Sequence, residues 1–191
     1  MNQPNLMGVD WSKIPAPKDD GAAKHLVGMK LPPVVLLATD GASVMLSHLK
    51  GRVVVFAYPR TGEPGKISLV DDWDMIPGAR GCTPQTCAFR DLFKDLTAAG
   101  AQHVFGLSTQ DAAYQREMAE RLHVPFQILS DSGLEFSRAL SLPTLEVAGL
   151  TLIKRLALVI DDATITHVFY PVFPPDRNAG DVLEWLQANP V

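Results

Sequence analysis

A chain of 191 residues, 47% of them hydrophobic, carries enough apolar material for one domain with a real core. Its net charge of -4 and isoelectric point near 5.7 supply no basic footprint for nucleic acid or for an anionic membrane surface. No stretch approaches the roughly 20 apolar residues of a membrane span, and residues 1–30 lack the basic-then-apolar order of a secretion signal. The expected setting is a reducing cytoplasm, where a cysteine pair serves chemistry better than permanent cross-linking.

Residues 1–30, rich in Pro, Asp, Lys and Gly, read as an extended arm with at most one helical turn, near residues 22–27. Residues 34–37 and 44–46 flank Asp40-Gly41, a hairpin signal. The unbroken apolar and β-branched run 52–57 predicts a central strand buried on both faces. Residues 62–81 show no sustained periodicity and read as an insertion, either a flap beside the cysteines at 82 and 87 or surface decoration. A helix then runs to Gly100, with Thr83 able to cap it and Pro84 suited to its first position. Its apolar stripe is Ala88, Leu92 and Leu96, with Phe89 and Phe93 beside it.

Strands over 102–107 and 126–129 bracket a helix over 111–122, and a short helix follows at 134–140. The apolar run 150–160 is broken only by Lys154 and Arg155, and Asp161-Asp162 turns the chain into a strand over 164–170. A helix over 178–187 closes the chain. The fold class is therefore α/β: a mixed central sheet with helices on both faces and an N-terminal hairpin.

Only two cysteines are present, Cys82 and Cys87, five residues apart at the head of the predicted helix. A helix N-terminus, with Arg80 close in sequence, favours the thiolate, which is the nucleophilic form. Five helical residues separate two Cα atoms by about 8–9 Å, and a disulfide needs them within about 7 Å. Bridging this pair requires the first turn to unwind, so the two read as a redox couple; the alternative is two small buried hydrophobes. The five histidines are scattered without ligand spacing, and Asp71, Asp72 and Asp74 read as a solvated loop. Gln85 reads as a solvated first-turn residue. In an extended strand Arg155 shares a face with Ala157 and Val159, where it either snorkels to solvent or serves a site.

Several segments together resemble the peroxiredoxins, and among them the Q type, also called bacterioferritin comigratory proteins. They are Phe56-Ala57-Tyr58-Pro59, Gly81-Cys82-Thr83 with Phe89-Arg90-Asp91, and the strand-and-loop stretches at 106–109, 125–131 and 155–161. The resemblance covers about residues 31–186 and implies a thioredoxin-like fold, with 31–191 as the domain and 62–81 as a loop insertion. It also implies Cys82 as the peroxidatic cysteine, Cys87 as the resolving cysteine and Arg155 as the active-site cation. The activity implied is reduction of hydrogen peroxide and organic hydroperoxides by a monomer or homodimer, without metal, flavin or haem. Thioredoxin or a glutaredoxin would be the reductant. One departure stands out: the family's Pro and hydroxyl precede the cysteine closely, whereas here Pro59 lies across the insertion, Ala79 takes the hydroxyl position, and Thr61 is the substitute candidate. Two other readings stay open: a thiol-disulfide oxidoreductase and a non-catalytic thioredoxin-like interaction module.

Overall fold

The computed structural model describes residues 9–191, so the first eight residues of the predicted arm lie outside the described residues. Its strands are β1 (Leu36–Ala38), β2 (Ser43–Val44), β3 (Arg52–Ala57), β4 (His103–Ser108), β5 (Ile128–Ser130), β6 (Thr144–Val147), β7 (Leu150–Ile153), β8 (Leu156–Asp161) and β9 (Thr164–Phe169). Its helices are α1 (Cys82–Asp91), α2 (Phe93–Ala98), α3 (Ala112–Arg121), α4 (Glu135–Leu140) and α5 (Asn178–Ala188). Seven strands form one mixed sheet in the order β2-β1-β5-β4-β3-β8-β9, with β3, β4 and β5 parallel and the other pairings antiparallel.

All six residues of β3 are buried, as its uninterrupted apolar run predicts for a strand covered on both faces. Alternation divides the core into two layers. Val53, Val55 and Ala57 pack with Leu156, Leu158 and Ile160 of β8, with Phe136 and Leu140 of α4, and with Leu26 of the arm. Val54 and Phe56 face the other way, with Tyr58, Ala157 and Val159, and are covered by Phe89 of α1, Leu96 of α2, Met118 of α3 and Val182 of α5. Helices thus cover both faces.

Three local expectations change. The helix expected to run unbroken to Gly100 divides at Leu92, whose backbone (φ -94°, ψ 7°) leaves the helical region with no proline or glycine to announce it. The apolar run 150–160 is two strands, parted at Lys154-Arg155, and β7 pairs back onto β6 as a separate hairpin. The helix cap is Gly81, not Thr83, and Gly81 makes no side-chain cap bond. Packing selects it: its φ is +109°, and a Cβ there would stand 2.4 Å from Pro175 Cγ and 2.9 Å from the Trp11 ring. Pro84 accordingly sits at the third helical position, where a missing N–H costs nothing.

The β8–β9 connection is Asp162-Ala163, both at positive φ, the two-residue loop expected of a tight hairpin. Residues 62–81 contain turns and one 3-10 turn, Trp73–Met75, and Asp74 pairs with Arg80. Along the arm, Ala23 and Leu26 are buried, the chain turns at Lys24 and Leu26, and Lys30 bridges to Thr164.

Candidate active site

Cys82 is the first residue of α1 and is 3% exposed. The inward stripe of this helix is Cys82, Gln85, Thr86 and Phe89, the i, i+3, i+4, i+7 set of one helical face. Phe89 anchors it on the sheet, its ring stacked on Phe56 with centroids 4.0 Å apart. Thr86 Oγ1 donates to the Cys82 carbonyl at 3.0 Å.

Arg155 occupies the break just before β8, in step with Ala157 and Val159, which bury in the same layer as Cys82. That parity aims the guanidinium at the thiol. Arg155 is 2% exposed, and its Nη2 lies 3.4 Å from Cys82 Sγ. The same nitrogen reaches the carbonyls of Gly78, Ala79 and Arg80 at 3.2, 3.2 and 3.0 Å. Nη1 donates to Gln85 Oε1, and Gln85 Nε2 donates to Asn178 Oδ1 at 2.8 Å. A buried cation is costly unless hydrogen-bonded; here the last turn of the insertion and the first turn of α1 supply the acceptors. The insertion therefore reaches the site through its C-terminal end.

The structure brings Cys82 and Arg155 together and leaves Cys87 half-buried, five residues along the same helix, with both cysteines free. Burial pushes the Cys87 thiol up, partly opposed by Arg90. Ala79 contributes its carbonyl, which accepts from Cys82 Sγ at 3.6 Å. The Thr61 hydroxyl is directed elsewhere, donating to Gln110 Oε1 at 3.1 Å. Tyr58 is fully buried, donates to Gln115 Oε1 at 2.8 Å, and has its hydroxyl pushed well up, chiefly by burial. It stays a neutral phenol.

Two residues of this network escaped sequence reasoning. Gln85 is fully buried rather than solvated, and Asn178 beneath it is equally buried. The available signal was spacing: position 85 lies three residues after Cys82, on the same helical face. Beside Arg155 a cavity of about 110 Å³ opens between Pro17 and Lys18 of the arm, Gly78 of the insertion, Lys154 and Tyr170.

The Redoxin family model matches residues 26–183. The chain is 34% identical over 163 residues to the chloroplastic peroxiredoxin Q of Oryza sativa subsp. japonica, covering 84% of this chain and 66% of that one. It is 32% identical over 185 residues to the chloroplastic peroxiredoxin Q of Triticum aestivum, covering 93% and 76%. Among solved structures, peroxidoxin BcpB from Mycobacterium tuberculosis superposes with a TM-score of 0.69 at 27% identity, over 86% of this chain and 98% of that one. Peroxiredoxin Q of Xanthomonas campestris, at 20% identity, shares the fold with a TM-score of 0.66, over 84% and 96%. With a thioredoxin-like sheet, two cysteines five apart on one helix, and family-level similarity across most of its length, the chain belongs to the peroxiredoxins of the Q type.

Proposed function

We propose that this chain is a thiol-dependent peroxidase reducing hydrogen peroxide and organic hydroperoxides. The observation that carries the reading is the buried Arg155 guanidinium 3.4 Å from Cys82 Sγ at the head of a helix. A fixed cation and a helix N-terminus both favour the thiolate. Pro84 has no N–H, and Gln85 N is bonded to the Gly81 carbonyl at 3.0 Å, so within α1 the N–H groups of Cys82 and Thr83 have no intrahelical acceptor.

The thiolate attacks one peroxide oxygen, the O–O bond breaks, and its electron pair leaves on the alkoxide or hydroxide, which takes up a proton. Arg155 stabilises the charge as it moves onto the departing oxygen. Cys82 becomes a sulfenic acid. Cys87 then attacks that sulfur, an S–S bond forms and water leaves; an external dithiol returns both thiols. In folded α1 burial pushes the resolving thiol up, away from its reactive anion, and its Cα is about 1–2 Å too far away. Unwinding removes both obstacles together.

A dithiol exchanger is the weaker reading, because the two sulfurs share one continuous helix instead of meeting at its tip. The reductant we assign is thioredoxin or a glutaredoxin, in a reducing cytoplasm. Peroxide consumption by the purified, reduced chain with such a reductant tests the proposal. Cys82→Ser abolishes consumption, and Cys87→Ser reacts once and then stalls. Undiminished consumption by Cys82→Ser overturns it.

A further inference from the structure

We propose that Trp11 of the N-terminal arm is a positioning residue for the resolution step, bracing the head of α1 and setting how fast Cys82 and Cys87 close their disulfide. The inference rests on the peroxidase reading above.

Three successive points of the arm land beside the three parts of the site. Trp11 Nε1 donates to Asp176 Oδ2 at 3.0 Å, and its ring meets Phe173 edge-on with centroids 6.1 Å apart. The far edge of that ring lies 2.9 Å from where a Cβ on Gly81 would stand. Gly81 is the residue before Cys82, and its carbonyl accepts the first hydrogen bond of α1, from Gln85 N at 3.0 Å. Next, Pro17 Cβ stands 3.6 Å from where a Cβ on Gly78 would lie, and the Gly78 carbonyl accepts from Arg155. Asp20 then holds Lys154 Nζ at 2.7 Å and the Tyr170 hydroxyl at 2.7 Å, next in sequence to Arg155. Trp11, Pro17 and Asp20 all precede residue 26, where the Redoxin model begins to match.

The two chemical steps respond differently to such a brace. Peroxide attack uses the folded helix, with Arg155 on the sulfur, and needs no movement of Gly81. Disulfide closure needs the first turn to unwind. Gly81 is wedged between Trp11 and Pro175 so closely that even a methyl group would collide, so the helix head swings out only when the indole yields. Until then the sulfenic acid waits. During that wait a second peroxide converts it to sulfinic acid, leaving one alcohol or water, in competition with attack by Cys87 and loss of water.

The test uses the full-length, pre-reduced chain, mixed rapidly with hydrogen peroxide, quenched by alkylation and read by intact mass. Trp11→Ala closes its disulfide at least about fivefold faster than the parent, through lost packing and one lost hydrogen bond. Loss of the Cys82 thiol stays within about twofold, and less sulfinic acid accumulates per turnover. Trp11→Phe, which keeps an aromatic ring against Phe173 but loses the Nε1 bond and the far ring edge beside Gly81, falls between, and carries the test if the alanine variant does not fold. Equal closure rates in parent and variants overturn the brace, as does a parallel fall in Cys82 oxidation. Diamide, which oxidises dithiols without peroxide, separates the two proposals. Faster closure by the variants with diamide, in a chain inert to peroxide, supports the brace and refutes the peroxidase.

Discussion

Gln85 offers the sharpest test of how the cation is held. Its side chain joins Arg155 Nη1 on one side to Asn178 Oδ1 on the other, with all three residues buried. Gln85→Leu preserves volume and helix propensity and deletes both bonds. A hydrogen bond to a charged group contributes about 1.5–3 kcal/mol and a neutral one about 1 kcal/mol, so the variant loses roughly 2.5–4 kcal/mol. For a chain of this length that lowers Tm by about 5–16 °C. The guanidinium also loses the anchor that sets its distance to sulfur, and the second-order rate of peroxide reduction falls by about 10- to 100-fold. Gln85→Glu is the control. It keeps an acceptor for Arg155, and Asn178 Nδ2, which has no partner, becomes available as donor once the amide turns over. That variant keeps its Tm within about 3 °C and loses less than about tenfold in rate. Stopped-flow peroxide kinetics and thermal melts in parallel decide the matter. If the leucine and glutamate variants behave alike, or the leucine variant reacts at the parent rate, Gln85 does not position the cation.

Removing the cation itself is more severe. With Nη2 3.4 Å from the sulfur and an effective dielectric near 20, the interaction is on the order of 5 kcal/mol before desolvation is subtracted. Arg155→Met accordingly loses at least about 100-fold in peroxide rate by stopped flow, and it melts lower because the carbonyls of Gly78, Ala79 and Arg80 lose their shared donor. For Cys87, burial raises the folded thiol above its unfolded value. Its contribution to stability is therefore complete below the ordinary thiol range and is lost as pH rises through the higher folded value. Iodoacetamide titration of Cys82→Ser should place the Cys87 midpoint above that of a free cysteine, and Cys87→Ser should flatten the alkaline decline in Tm.

Elements governed by local pattern were legible from the residues alone. The run Arg52–Ala57 could only be a doubly covered strand, and two-residue alternation put Arg155 on the face of Ala157 and Val159, although only the family resemblance chose the site over solvent for it. Cys82 at a helix head was legible from Pro84 and the periodicity behind it, although the cap was displaced to Gly81 by contacts with Pro175 and Trp11. What escaped depended on partners distant in sequence. Gln85 is polar and looks solvated until Arg155, 70 positions away, buries against it. The carbonyls of Gly78, Ala79 and Arg80 carry no side-chain signal, so the end of the insertion could not be assigned to the site. Thr61 looked like a substitute hydroxyl because sequence does not show that Gln110 already holds it.

One equivalent of hydrogen peroxide added to the reduced chain, followed by intact mass and peptide mapping, tests the central claim most directly. The account predicts loss of about two mass units, located in a Cys82–Cys87 bridge, and about sixteen units gained on Cys82 when Cys87 is replaced by serine. Both thiols still alkylating fully after peroxide treatment would contradict it.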